Sequence, residues 1–324
     1  MPVYRFGAAA LLFAALTLHC MDARSQGYPA RPVRYLVPDA AGSGSDTIAR
    51  ILTSGLSLAL GQQAVVDNRP GATGTIGADL AAKAPADGYT ILQISSALAA
   101  AMSIYRNLPF DLVRDFEPVT QLAAAPQIVV VHPSVPVTSM TELASLAKSR
   151  PGALKYGSAG SGSSTHLAAE LFKAQAGVDM LHVPYRGGGP AITAVISGET
   201  QVYFAPVAAS LQYVKQGRLR ALAVTTARRV PLMPGLVTVA EAGFPGYEAS
   251  QWYGILAPAK TARPIIAALR DRTVAALNDQ SVNRKLTDAG YLVVGSEPAE
   301  FKSHLKSEVD RLGALTRRLG LKAN

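Results

Sequence analysis

Along the chain, short runs of apolar residues at strand spacing give way to apolar residues at helical spacing, and the alternation recurs many times. Val33 to Val37 reads as a strand, and Ile48, Ile51, Leu52 and Leu56 follow as the inward stripe of a helix. Val65-Val66-Asp67-Asn68 ends a second strand, a glycine-punctuated loop follows, and Ala78 to Ala84 forms the next helix. Tyr89 to Ile94 is a buried strand, and the β-branched run Ile128 to Val131 is rich enough for a central one. A helix over Ser139 to Lys148, a strand around Leu154-Lys155-Tyr156 and a helix carrying Leu167, Leu171 and Phe172 continue the pattern. Leu181 to Tyr185, Gln201 to Ala205 and Arg220 to Thr225 are further strands, with a helix from Ile192 to Ser197 between the first two. Tyr253 to Ala257 reads as a return strand and Tyr291 to Val294 as one more. Pro264 marks a helix start, and the last helix runs from Pro298 to about Leu319, with Phe301, Leu305, Val309 and Leu312 on its docking stripe.

Strand and helix in alternation predict an α/β fold with parallel-sheet character in the second half. Crossings near residues 128 and 255 would make the first of two lobes discontinuous. The expected division is residues 26–127 and 253–324 for lobe 1 and 128–252 for lobe 2, the arrangement of a hinged two-lobe binder.

The first residues read as an address. Arg5, the apolar run Phe6 to Leu18 and the small-x-small site Ala23-Arg24-Ser25 make an export signal over residues 1–25. The run is too short to span a bilayer. Cys20 as a lipidation site is disfavoured by the bulky His19 before it, and without Cys20 the mature chain has neither disulfide nor thiol chemistry. Residues 26–324 are enough for two lobes with ample core.

Loss of Arg5, Arg24 and Asp22 lowers the net charge from +9 to +8, spread along the chain. A diffuse positive field favours anionic ligands weakly. Nucleic acid is excluded as a partner, since there is no basic stripe with interleaved aromatics and only 6% of residues are aromatic.

Candidate chemistry gathers in two turns. Gly157 to Leu167 leads from a strand into a helix through Gly157-Ser158-Ala159-Gly160-Ser161-Gly162-Ser163-Ser164-Thr165-His166. First-turn N–H groups lack intrahelical partners and carry the positive end of the helix dipole, so glycine for close approach plus serine hydroxyls makes an anion cradle. The alternative is a capped helix with a flexible lead-in. Gly42-Ser43-Gly44-Ser45-Asp46 repeats the design near the start of the mature chain. Ser95 and Ser96 end a strand, where ligands sit in open α/β sheets, or else cap a helix. Arg186-Gly187-Gly188-Gly189-Pro190 is a third ligand-side turn.

Catalysis finds no support. Gly-x-Ser-x-Gly is absent, Ser145-Leu146-Ala147-Lys148 lies on an ordinary helix, and no phosphate-binding loop of the Gly-x4-Gly-Lys-Ser/Thr type occurs. The histidines at 19, 132, 166, 182 and 304 have no metal-ligand spacing. No metal and no cofactor are expected.

Nearly the whole mature chain resembles the Bug, or tripartite tricarboxylate transporter receptor, family of periplasmic solute-binding proteins. The resemblance is carried by Val37-Pro38 with Gly42 and Asp46, Asp67-Asn68-Arg69-Pro70-Gly71 with Gly74 and Gly77, and Ala86-Asp87-Gly88-Tyr89-Thr90. It continues through Asp115-Phe116, Pro118-Val119, Gly157 to Leu167, Val183-Pro184-Tyr185-Arg186-Gly187, Leu219 to Val224 and Trp252-Tyr253-Gly254. It implies the type 2 periplasmic-binding-protein fold, two α/β lobes joined by a two-strand hinge with a carboxylated small molecule in the cleft. It further implies export to the periplasm, a monomer, and delivery to integral membrane transporter subunits, with a sensor as the alternative partner.

Carried over by position, the resemblance implies ligand contacts at Gly42, Ser43, Gly44 and Asp46 on one lobe and at Ser158, Gly160, Ser161, Gly162, Ser163 and Thr165 on the other. Ser95, Ser96, Tyr185, Gly187 and Ala205 complete the candidate set, with His166 as a structural cap. Three positions depart from the family pattern: Asp39 stands for an aromatic, Gly42-Ser43 for paired glycines and Ala205 for an acid. Asp39 disfavours a bare carboxylate unless it points away, and Ala205 removes one partner for an ammonium.

Overall fold

The computed structural model describes residues 28–105, 107–318 and 320; the expected export signal lies outside them. Strand β1 (Val33–Val37) enters helix α1 (Gly44–Leu60), and β2 (Ala64–Asn68), α2 (Thr75–Ala82), β3 (Thr90–Ser95) and α3 (Ser96–Ile104) follow. Strand β4 (Phe116–Ala125) leads through Pro126 into β5 (Gln127–Val131), then α4 (Met140–Ser149), β6 (Lys155–Ser158), α5 (Ser164–Ala176) and β7 (Leu181–Pro184). Helix α6 (Gly188–Ser197), β8 (Val202–Pro206), α7 (Val207–Lys215) and β9 (Arg220–Val224) close that half. The chain returns on β10 (Gln251–Pro258) and ends with α8 (Arg263–Asn278), α9 (Gln280–Asp288), β11 (Leu292–Val293) and α10 (Pro298–Arg318).

Two sheets form, ordered β11-β4-β10-β3-β1-β2 and β7-β6-β8-β5-β9. Strands β1, β2 and β3 are parallel, whereas β10 runs antiparallel to β3 and β4. In the second sheet β6, β7 and β8 are parallel and β5 is antiparallel to β8 and β9. The expected parallel character is therefore broken by β5, because a strand that has just crossed from the other sheet arrives at the edge where its neighbours end.

Helix boundaries follow from local chemistry. Ser43 and Ser163 cap α1 and α5 by accepting the N–H of the residue three positions on, and Gly61 and Gly177 end those helices in the left-handed conformation. Ile48, Leu52 and Leu56 are fully buried in one core with Ile255, Leu269 and Leu286. Val129, Phe172 and Phe204 centre a second core in the other lobe. Phe301, Leu305 and Leu312 of α10 pack with Trp252 and Leu256 against the far face of the first sheet. That packing needs Gly254, where a Cβ would lie 2.1 Å from the Phe301 ring.

Strand β4, ten residues long, is a strand the apolar pattern does not reveal. Pro118 removes a ladder donor and Ala123-Ala124-Ala125 carry little strand preference. Pro118 is tolerated because it sits opposite Leu256 at a register shift.

Candidate functional site

The registers bring the informative ends of both sheets to facing edges. Ala125 lies opposite Gln251 and Ser95 opposite Tyr253, so the carboxyl ends of β1, β2, β3 and β4 share an edge with the start of β10. Gln127 lies opposite Pro206, so the carboxyl ends of β6, β7, β8 and β9 share an edge with the start of β5. Because the chain crosses at Ala125-Pro126-Gln127 and again just before Gln251, these two edges face each other. The turns Gly42 to Asp46, Gly157 to Leu167 and Arg186 to Pro190 follow the carboxyl ends of β1, β6 and β7 and so lie on these edges.

On the first lobe the Gly42 to Asp46 turn is rigid. Gly42 has φ +81° and donates its N–H to Asp46 Oδ2 at 2.8 Å. The Asp46 carboxylate also receives Asn68 Nδ2 at 3.0 Å and Arg50 Nε at 2.9 Å. Asp46 is 3% exposed. Burial would raise its pKa, but the hydrogen bonds from Arg50, Gly42 and Asn68 outweigh that and lower it. Asp46 is thus fixed as an internal brace, and the expectation that it touches a ligand gives way to one in which it shapes the turn. Asp39 is held likewise, since it accepts the Ser45 hydroxyl and its carbonyl accepts Asn68 Nδ2 at 3.0 Å. Gln93, fully buried, spans from the Tyr35 hydroxyl to the Ser45 carbonyl and fixes the helix start from below.

Gly42 and Gly44 are exposed and Ser43 half-buried. Tyr253 and Tyr291 wall this turn: a Cβ on Gly44 would lie 2.9 Å from one hydroxyl and 3.3 Å from the other. Neither tyrosine is foreseeable from the sequence as a neighbour of Gly44, because the contact spans more than 200 residues. Ser95 and Ser96, buried at the start of α3, sit behind the wall. Ser96 lines a cavity of about 20 Å³ at the hinge with Ser164, Leu167 and Arg311.

On the second lobe most hydroxyls are spent on the loop. Ser158 Oγ meets His182 Nε2 at 2.7 Å and accepts Gly160 N–H at 3.1 Å. Ser163 Oγ donates to the Gly160 carbonyl at 2.7 Å, and Thr165 Oγ1 accepts Ala159 N–H at 2.9 Å. Gly162 donates its N–H to His166 Nδ1 at 3.0 Å, which makes His166 a brace for the cradle. Ser161 is the exposed member at the tip, and Gly160, with φ +127°, and Gly162, with φ +78°, hold the backbone open around it. Gly162 comes within reach of Ile104 on the first lobe, where a Cβ would meet its Cδ1 at 4.0 Å, and Ser164 Oγ reaches Gln251 Oε1 at 3.3 Å.

The third turn joins the second through Tyr185 N–H to the Ser158 carbonyl at 3.0 Å and Gly187 N–H to the Ala159 carbonyl at 3.2 Å. The Tyr185 hydroxyl turns away to Glu199 at 2.8 Å, and burial with that carboxylate pushes it up to about 12. Ala205 stands apart from the set. Its methyl is fully buried with Ile128, Val130 and Ile192, so its side chain presents nothing to the cleft.

Among the described residues no group of His, Cys, Asp and Glu could hold a metal ion, and no helix is long and apolar enough to cross a membrane. A groove of about 680 Å³ beside Glu117, Arg263 and Lys302 lies at the opposite edge of the first sheet and shares no residue with the turns.

Two α/β lobes, two crossings and helix starts at the facing edges define a two-lobe solute-binding protein of the Venus flytrap type. Comparison with known proteins gives the family. The sequence model of the tripartite tricarboxylate transporter family receptor matches residues 48–321, and the chain belongs to that family. A UPF0065 protein in the tcbD-tcbE intergenic region of Pseudomonas sp. strain P51 is 38% identical over 98% of this chain and 94% of its own. The structure of R. palustris Rpa4515 with adipate matches with a TM-score of 0.75 and 37% identity, covering 90% of this chain and 98% of that one. MatC from Rhodopseudomonas palustris with bound malate matches at 0.72 and 30% identity, over 89% and 99%. The family is one of solute-binding receptors, and BugD, a periplasmic binding protein, matches at a TM-score of 0.73 and 31% identity, over 92% of this chain and 100% of that one.

Proposed function

We propose that this chain is an exported periplasmic receptor that encloses a small carboxylated molecule between its lobes and presents it to a membrane transporter. In this reading the described residues up to 125, with those from 251 on, make one lobe, and those from 127 to 250 the other, so that the hinge falls a residue or two from the 127/128 and 252/253 boundaries expected from the sequence. The observation that carries the reading is the pair of helix starts at facing edges, Gly42-Ser43-Gly44 before α1 and Gly160-Ser161-Gly162 before α5, where Gly44 and Ser161 are exposed and their N–H groups have no hydrogen-bond partner among the described residues. A neutral ligand would leave those donors poorly used. The adipate and malate held by two relatives belong to the same chemical class. Ligand contacts fall on Gly42, Ser43, Gly44, Gly160, Ser161 and Gly162, with Ser158, Ser163 and Thr165 shaping the cradle.

A thermal-shift screen of mono- and dicarboxylates against their amides tests the proposal. Stabilisation by some acid and not by its amide is expected. Equal stabilisation by acid and amide would end the anion argument.

A further inference from the structure

Trp252 stands where the chain re-enters the first lobe, at the start of β10, and is buried. One face of α10 grips it: the Phe301 and His304 rings meet its indole edge-on, with centroids 5.9 and 5.0 Å away, and the Glu308 carboxylate accepts its Nε1–H at 2.8 Å. Glu308 is bound a second time, since Arg311 donates from Nε at 2.7 Å and from Nη2 at 2.9 Å to its two oxygens. Burial alone would raise the Glu308 pKa, but the bonds from Arg311 and Trp252 outweigh that and lower it, so a charged carboxylate sits in the interior, 8% exposed. Burying an ion pair costs about as much as its attraction returns, and an apolar pair of similar volume often packs as stably or better. Stability alone does not account for the pair.

Its place in the fold does. Beyond Glu308, α10 lies against the other lobe: Leu312 and Leu315 share a core with Leu167 of α5, and Arg311 faces Glu248 and Tyr247, just before the crossing. Arg311, Leu312 and Leu315 also border the cavity of about 20 Å³ together with Ser164 and Ala249, so both lobes wall it. Close-packed interiors transmit displacement, and a cavity of about one water's size gives packed helices room to slide. The Glu308 carboxylate is thus the point that joins the return crossing to the inter-lobe end of α10.

Resting on the two-lobe reading above, we propose that Glu308 is the positioning residue of lobe movement. By holding the Trp252 indole and the Arg311 guanidinium on one carboxylate, it clamps the return crossing to the part of α10 that lies on the second lobe. The clamp limits how far the unliganded lobes swing, and so keeps the ligand-competent setting populated.

Small-angle scattering and calorimetry on the full mature chain, with adipate and malate as probes, test this. Glu308→Gln combined with Arg311→Met keeps an acceptor for the indole and much of the volume of both side chains while removing the charge pair. Unliganded, this double variant should show a larger radius of gyration than the wild type, because α10 no longer ties the second lobe to the crossing. Its affinity for whichever acid the wild type binds should fall by about 10-fold, since the competent setting is populated less. Wild-type radius and affinity in the double variant would overturn the clamp whatever its melting temperature, and a lowered melting temperature would then show that the pair only stabilises. If the double variant failed to fold, Arg311→Lys carries the same comparison, because it keeps a cation but cannot make the two-point fork. Equal unliganded radii for that variant and the wild type would likewise overturn the clamp. If no acid bound the wild type but the unliganded radii differed as expected, the carboxylate reading would fall and the clamp would stand.

Discussion

Gly290 and Ala208 meet across the two lobes: a Cβ on Gly290 would lie 2.2 Å from Ala208 Cβ and 3.2 Å from its Cα. Gly290 lies in the turn between α9 and β11, and Ala208 in the first turn of α7, so the lobes touch here backbone to backbone. Gly290 also has φ +83°. Gly290→Ala adds a clash to backbone strain of about 1–2 kcal/mol. The lobes should be held apart, with a larger radius of gyration in small-angle scattering and weaker carboxylate binding. Gly217→Ala separates the two effects, because Gly217 has φ +69° and open space around it. That variant should lose similar stability and keep the compact outline. Identical scattering for both variants would show that the contact does not set the lobe spacing.

Ser161 and Ser163 are expected to fail differently when replaced by alanine. Ser163 Oγ caps α5 by accepting His166 N–H at 3.3 Å and ties down the Gly160 carbonyl. Ser163→Ala should lower stability by about 1 kcal/mol. Ser161 is exposed at the cradle tip and carries no such duty. Ser161→Ala should leave the melting temperature alone and weaken carboxylate binding by about 1.5–3 kcal/mol. Thermal melts and calorimetry on both proteins decide the matter, and a stable Ser163→Ala with unchanged melting would refute its capping role.

Asp46→Asn probes the first-lobe brace. The carboxylate accepts from three donors on three segments, and an amide can reproduce only part of that set. A loss of about 2 kcal/mol in chemical denaturation is expected, together with weaker ligand binding through a loosened Gly42 turn. Affinity lost at unchanged stability would mean that Asp46 touches the ligand after all.

These variants also mark how far the sequence could be read. The two serine-glycine turns were legible because their chemistry is local: Ser43 and Ser163 lie three residues before the N–H groups they accept. The two-lobe plan was legible because the strand-helix rhythm restarts after Val131 and again after Tyr253. What a hydroxyl or carboxylate does within a turn was not legible, since Asp46 is defined by Arg50 and Asn68, and Ser158 by His182, 24 residues away. Tyr253 carries no local signal whatever, because an aromatic in a buried strand reads as core until the sheet register places its hydroxyl beside Gly44, and Tyr291 reaches the same turn from 247 residues away.

Acid should loosen the second-lobe cradle. His166 is buried, its ring stacked on His182 with centroids 4.0 Å apart, and Tyr156 stacks on His182 at 4.9 Å. Glu170, hydrogen-bonded to the Tyr156 hydroxyl and to Lys173 Nζ at 2.7 Å, and Lys173 itself complete the charged surroundings. Burial lowers the His166 pKa to about 4, with the neighbouring His182 adding to the effect, and burial lowers His182 as well. Geometry agrees, because His166 Nδ1 accepts the Gly162 N–H and cannot be protonated without losing that bond. The folded state therefore binds fewer protons than the unfolded one, whose histidines titrate near 6.5. Stability contributed by the pair is complete above about pH 6.5 and is lost as pH falls toward 4. Since protonation of His166 also releases the cradle, carboxylate affinity should fall over the same interval. His166→Gln keeps an acceptor for Gly162 but cannot titrate, so its melting temperature should depend less steeply on pH between 6.5 and 4 than that of the wild type. Parallel curves for the two proteins would place the acid sensitivity elsewhere, at Asp46 or Glu308, whose lowered carboxylate pKa values make them lose stability in the same direction at more acid pH.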